Sequence, residues 1–368
     1  MRIVQGRDVM DGPVLNKSRD LSLDFLKGFS MVLVVFFHNL QLNPASVLDN
    51  IFVLLANTAV PVFFLVSGAL FFHRPFTWKN HARHILQFYL AMIGWKGIYL
   101  AAYCSLGVPF PASKRDLLTY LFLFGEVGGI PSGHMWFIAA MLTVLLTAPV
   151  LRACMGQDKK LILYLMGIFF VFNQLLADVN LFNALLARMA GKGAWEVSAF
   201  GEVNPFSFRY SNYLLYYMLG AYLQEKKGRQ PTPAWKSVVM VAVGLFGLMI
   251  VKYLQSGTFR WQGLHLSSGY YWTSTLLAAS GIFLLAGKIP FGKSRLLRGF
   301  CQIVGASTLG IFYLHMPLIY VLAPALFVRF APLNGWAVNL MESLLIVAVS
   351  CLIVWVGRKL PVIRRLFS

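Results

Sequence analysis

The chain has 368 residues, of which 58% are hydrophobic and only 12% charged, with a mean hydropathy of +0.68. A soluble domain has about twice that charged fraction, so an ordinary soluble fold is excluded and a polytopic membrane protein is expected. The formal net charge of +19 would suggest a nucleic-acid partner in a soluble chain. Here the lysines and arginines are scattered over short connections between apolar runs, so no nucleic-acid partner is expected and the charge reports topology.

Residues 1–20 are polar and include Arg2, Arg7, Lys17 and Arg19. No small-x-small cleavage site follows, which points to a retained first helix and not to a signal peptide. Apolar runs long enough to cross the hydrocarbon, about 20 residues each, fall near 21–42, 51–72, 85–106, 135–151, 161–178, 210–224, 237–254, 269–287, 301–323 and 336–357. They predict an all-α membrane protein with ten transmembrane helices. With the N-terminus inside, the inner segments hold 23 of the 32 Lys and Arg and the outer loops 8, which places the N and C termini in the cytoplasm. The expected organisation is a cytoplasmic segment over 1–20, a single transmembrane domain over 21–360 and a cytoplasmic tail over 361–368.

The first span, DFLKGFSMVLVVFFHNL, has Lys27 near its start and His38 near its end. Eleven helical steps are about three turns and roughly 16 Å, so both project from one face at different depths. Ionisable groups in a bilayer are costly and face a water-filled cavity or a partner, which makes the pair a candidate functional site. The alternative is a lysine that anchors the helix and a histidine satisfied by a neighbouring carbonyl. The second inner segment, HRPFTWKNHARH, gathers His73, Arg74, Lys79, His81, Arg83 and His84. It reads as a cationic surface for a phosphate-bearing cytosolic ligand, or as plain positive-inside charge. His81 and His84 share a helical face, but no Asp, Glu or Cys nearby completes a ligand set, so no metal is expected. Cys104, Cys154, Cys301 and Cys351 lie far apart and read as apolar fillers.

Further along, Lys96 falls near mid-membrane and Glu342 enters from the outer side of the last span. A pair between them would relieve two desolvation costs at once; otherwise Lys96 snorkels and Glu342 reaches water. The stretch LLTYLFLF (117–124) is too short to span and is expected at the interface or dipping into the bundle. Asn39, Ser67, His134, Ser307, Thr308 and His315 complete the polar groups at membrane depth. The connections 107–133 and 179–209 are long enough to suggest a binding role. A multi-helix transporter or flippase for a lipid-linked or anionic solute is the competing class, because buried His, Lys and Glu also build proton-coupled carriers. Its mark would be two similar halves with interrupted helices, and the sequence shows no such repeat.

Four strings stand in order: Asp24, Lys27 and His38 in the first span, PVFFLVSG (61–68), HMWFIAAM (134–141) and STLGIFYLHMP (307–317). In this the chain resembles the integral-membrane acyltransferases of acyltransferase family 3, across nearly all ten predicted helices. Where that family has paired arginines at the start of its third helix, this chain has His81, Arg83 and His84. The resemblance implies an O-acyltransferase of the plasma membrane, with acyl-CoA (acetyl-CoA in the expected case) as co-substrate and no permanently bound cofactor. The acceptor would be a hydroxyl of a carbohydrate or lipid-linked glycan. On that reading His38 is the general base, its imidazole suited to the task by a reference pKa of about 6.5. Asp24 orients Lys27. Lys27, Arg83, His81 and His84 receive the donor's phosphates. Asn39, Ser67 or Lys96 donates to the oxyanion. His134, Trp136, Glu342 and His315 border the acceptor, with His315 alternatively bracing a helix break at Pro317.

Overall fold

The computed structural model describes residues 20–40, 47–124, 126, 128–192, 198–256, 269–330, 335–361 and 364–367, excluding the side chains of 188, 198–200, 256 and 323–330. Every regular element among them is helical. In chain order they are α1 (Leu21–His38), α2 (Val47–Ala56), α3 (Ala59–Phe72), α4 (Trp78–Ser105), α5 (Lys114–Phe122), α6 (Trp136–Gln157), α7 (Lys159–Phe169), α8 (Leu176–Met189), α9 (Asn212–Arg229), α10 (Ala234–Ser256), α11 (Thr273–Ala286), α12 (Arg295–Phe330) and α13 (Trp336–Lys359). In hydrocarbon no water answers the backbone, so helices are the form such apolar runs must take.

Among the described residues, eight segments are long and apolar enough to cross a membrane: α1, α2 with α3, α4, α6, α7 with α8, α10, α12 and α13. The predicted spans 210–224 and 269–287 exist as α9 and α11, but α9 is too polar to qualify and α11 has only 14 residues. Both are central. α9 packs on α3, and α11 packs on α10 and α3, so neither needs the continuous apolar surface that lipid demands. The contact of α9 with α3 is close: a Cβ on Gly68 would land on the Tyr217 carbonyl, and one on Gly220 on that of Leu65. Paired small residues let two helices approach in this way, which accounts for the glycine that closes PVFFLVSG.

Two spans are interrupted, although no interruption was expected. Between α2 and α3, Asn57 Nδ2 donates to Val53 O at 3.0 Å and Thr58 Oγ1 to Leu55 O at 2.7 Å. These side chains compete with the backbone for its own carbonyls. Between α7 and α8 the chain makes a π-helical turn over Phe170–Leu175. At the start of α1, Asp20 caps Ser22 N–H at 2.9 Å and accepts from Gln224 across the bundle at 3.0 Å. Burial would raise its pKa, but Ser22, the Lys227 cation and Gln224 outweigh burial and hold it below the usual carboxylate value.

α4 supplies donors to carbonyls that other helices leave without a partner. Pro149 lies inside α6 and has no N–H for the carbonyl four residues back, Leu145; His81 Nε2 donates to that oxygen at 3.0 Å. Pro317 lies inside α12 and withholds an N–H from Tyr313 O, which Tyr99 reaches with its hydroxyl. α12 runs unbroken through Pro317, so the helix break expected there does not form. α5 descends along α4, and its last carbonyls are met by Lys96 Nζ on Tyr120 O at 2.7 Å and Tyr89 Oη on Phe122 O at 2.8 Å. A cation suits a helix C-terminus twice over, as hydrogen-bond donor and as counterpart to the dipole. The stretch 117–124 therefore lies along α4 with Tyr120 buried, while Leu118, Phe122, Leu123 and Phe124 stay exposed.

At the C-terminal end, residues 364–367 fold back from the predicted tail. Phe367 is buried against Gly310, Gly357 and Trp95, and its carbonyl accepts from Arg358 Nη2 at 3.0 Å.

Candidate active site

α1 brings its polar residues to two cavities. The first, of about 280 Å³, is bordered by His38, His134, Trp136, Asn57, Gly269 and Tyr270 together with apolar residues of α1 to α3. The second, of about 500 Å³, lies toward the start of α1 and is bordered by Lys27, Ser67, Arg74, His81, His84 and Arg152 among others. Met31, Phe63, Phe137 and Phe312 border both. These four come from α1, α3, α6 and α12. Successive rings of the three phenylalanines touch, with centroids 5.9 and 5.4 Å apart.

His38 is open to the first cavity, while its Nδ1 faces Val34 O at 2.9 Å. A carbonyl only accepts, so Nδ1 is the donor there, and in the neutral imidazole the lone pair is on Nε2. One nitrogen is satisfied by the helix, and the ring borders a cavity. His315 and His134 pack around it, with ring centroids 5.1 and 6.3 Å from His38 and 5.0 Å from each other. His315 is fully buried, with Nδ1 3.2 Å from Ile311 O. His134 Nε2 lies 3.4 Å from the Tyr99 hydroxyl, whose proton is given to Tyr313 O, so the imidazole is the donor there. Among the described residues no group of three His, Cys, Asp or Glu is placed to hold a metal ion.

At the other end, Lys27 Nζ lies 2.6 Å from Asp24 Oδ1, the orienting contact expected one turn away. Arg74 and Arg152 add two guanidinium groups to the cavity wall; Arg152 also donates to Phe71 O near the end of α3 at 3.0 Å. Sequence reasoning placed Arg74 in the basic segment without assigning it a site and passed over Arg152, whose only mark is a cation near the end of an apolar run. Arg83 is exposed and does not border the cavity, because two residues after His81 the helix has turned its side chain to another face. His81 is buried with Nε2 committed to Leu145 O, whereas His84 faces the cavity beside it.

The expected pairing of Lys96 with Glu342 is replaced by two others. Lys96 serves the end of α5, with its ammonium 4.8 Å from the centroid of the Tyr120 ring. Glu342 Oε2 accepts from Asn39 Nδ2 at 3.0 Å, joining α13 to the end of α1. Neither Asn39, Glu342, Lys96 nor His315 borders either of these two cavities. Ser67 borders the Lys27 cavity. Trp136 belongs to an aromatic cluster, its ring centroid 5.7 Å from Tyr213, 5.9 Å from Tyr270 and 6.1 Å from Tyr210. Tyr270 went unremarked in the sequence, where GYYW (269–272) was its only signal.

The described residues form a multi-span helical bundle in which a lysine and a histidine face successive cavities along one helix. A family model described as an acyltransferase domain matches residues 20–357, and the chain belongs to acyltransferase family 3. Comparison with curated proteins gives no match, and neither does comparison with solved structures. The chain is thus a membrane acyltransferase by family and by its apolar helices.

Proposed function

We propose that this acyltransferase moves an acyl group, acetyl in the expected case, from acyl-CoA to a hydroxyl of a carbohydrate or lipid-linked glycan. The observation that supports this best is the pair of cavities divided by one four-residue wall, with Lys27 in one and His38 in the other. The donor's phosphates meet Lys27, Arg74, His84 and Arg152, and its thiol arm extends along α1 over the roughly 16 Å that separates Lys27 from His38. The acceptor hydroxyl enters from the opposite side, against Trp136 and Tyr270. His38 Nε2 takes the hydroxyl proton as the oxygen attacks the thioester carbonyl. The carbon–sulfur bond then breaks, and the departing thiolate takes the proton back from the imidazolium.

In this reading ten helical passes form a single domain over 21–360 of the plasma membrane, with both termini cytoplasmic. The basic cavity then faces the compartment where acyl-CoA is made. Purified protein in lipid nanodiscs, given acetyl-CoA, should release thiol in proportion to added glycan. Movement of an intact solute across vesicles without thiol release would overturn the proposal in favour of a transporter.

A further inference from the structure

Residues 364–367 turn back against the bundle and carry two arginines with them. A Cβ on Gly94 would fall on the Leu366 side chain and one on Gly357 on the Phe367 ring, so the cradle that seats these residues requires glycine at both positions. Hydrogen bonds hold it closed: Trp95 Nε1 donates to Leu366 O at 3.0 Å, Arg358 Nη2 to Phe367 O at 3.0 Å and Arg364 N to Leu360 O at 2.9 Å. Arg364 and Arg365 stay exposed. They are thereby fixed beside the end of α13, next to the exposed Lys359.

α13 gives this corner an apolar approach. Leu344, Ala348, Leu352 and Trp355 follow one another at steps of three or four residues and are all exposed, so they form one stripe along the helix. The other side of the helix packs on α12, α1 and α2. From Leu344 to Trp355 the rise is roughly 16 Å, close to the half of an about 30 Å hydrocarbon core that one leaflet fills. At the end of the stripe, Lys359 Nζ stands 3.3 Å from the centroid of the Trp355 ring, a cation held at the level of an interfacial tryptophan. The charge here is one-sided. No Asp or Glu follows Glu342 in the sequence, and among the described residues no ion pair includes Lys359 or Arg364. Lys159 and Arg229, by contrast, share Glu225.

We propose that Lys359, Arg364 and Arg365 bind the headgroup phosphate of an anionic phospholipid whose acyl chains lie along the stripe that ends at Trp355. A zwitterionic lipid brings its own cation to a place that already holds three, and a soluble phosphate makes no use of the stripe. None of these residues borders either cavity, so the site is separate from the one assigned to acyl transfer.

The test is lipid competition on the full chain in phosphatidylcholine nanodiscs into which phosphatidylglycerol is titrated, read by native mass spectrometry as the ratio of the two lipids retained. The unsubstituted chain should retain phosphatidylglycerol in preference. Arg364→Gln with Arg365→Gln should weaken that preference by about fivefold for each cation lost, the scale of one basic residue near an anionic surface. The same charge removed at the start of α7, Lys159→Gln with Lys160→Gln, should leave it unchanged. Phe367→Ala should lower the preference with every charge in place, because the arginines are no longer held, and Phe367→Leu, which still fills the cradle, should keep it. The thermal transition in detergent reports folding, and Lys359→Gln with Arg364→Gln replaces the arginine pair if that pair does not fold. Equal losses from the arginine and lysine pairs, or no preference in the unsubstituted chain, would overturn the site in favour of charge spread over the whole face. Displacement of phosphatidylglycerol by sn-glycerol 3-phosphate would overturn the lipid as its occupant.

Discussion

α1 and α4 both place polar side chains at membrane depth, and they use them differently. Lys27 and His38 of α1 border cavities. His81, Tyr89, Lys96 and Tyr99 of α4 donate to backbone carbonyls of α6, α5 and α12. An ionisable residue inside a membrane has to answer some need, but that need is structural wherever a proline or a helix end leaves a carbonyl without its N–H. Asking which backbone oxygen lacks a donor therefore comes before asking what an intramembrane residue catalyses.

The largest effect should come from α1. His38→Ala should lower acyl transfer by about 10² to 10⁴-fold, the usual contribution of a general base, while the protein stays in the membrane with its thermal transition in detergent little changed. Near-normal transfer would remove His38 as the base. Lys96→Met should act in the other direction, on the fold. Leaving the Tyr120 carbonyl without its cation should cost about 1–3 kcal/mol, seen as a lower transition temperature, and the surviving folded fraction should keep the donor affinity of the parent. A specific loss of turnover at unchanged stability would return Lys96 to the chemistry.

How much of this was legible follows the same division. The three-turn spacing of Lys27 and His38 is a property of α1 alone, so helical periodicity was enough to put them on one face. Pro317 was read as a helix break and Pro149 was passed over, so the carbonyls four residues back, Tyr313 and Leu145, were not recognised as in need of a donor. Which donors would serve them depended on how α4 packs, and no local pattern states that. Lys96 was conspicuous as a charge, yet its partner is the end of a short helix whose descent beside α4 is tertiary. Charge complementarity alone therefore matched it to Glu342, which in the structure accepts from Asn39. Arg83 was misplaced for the opposite reason: composition put it in a basic cluster, and the one-residue step of about 100° from His84 took it off the face that His84 occupies. α9 was found as a span from its apolar run, but its burial among other helices was not readable from that run.

A smaller effect distinguishes the two ends of α1. Lys27→Ala should raise the half-saturating acyl-CoA concentration by about tenfold, the scale of one charge-assisted contact of 1.5–3 kcal/mol discounted for an exposed partner, with little change in the rate at saturation. Lys27→Arg should be mild, because phosphate oxygens accept from either cation. Acyl-CoA titration of initial rates checks both. An unchanged half-saturation in Lys27→Ala would leave Lys27 as a membrane anchor and confine the donor contacts to Arg74, His84 and Arg152.

The finest test is a double-mutant cycle on Tyr99 and Pro317. If Tyr99 is present to serve the carbonyl that Pro317 leaves open, Tyr99→Phe alone should cost about 1–2 kcal/mol of stability, the range measured for hydrogen bonds inside membranes and for buried groups left unsatisfied. Pro317→Ala restores an N–H four residues after Tyr313, and in that background Tyr99→Phe should cost close to nothing. The coupling energy should then nearly equal the single-mutant cost, well above the few tenths of a kcal/mol within which independent sites add. Reversible unfolding in mixed micelles gives all four corners. Equal costs in the two backgrounds would mean that Tyr99 is held for its contact with His134, 3.4 Å away, and would move it from the structural side of the comparison to the site.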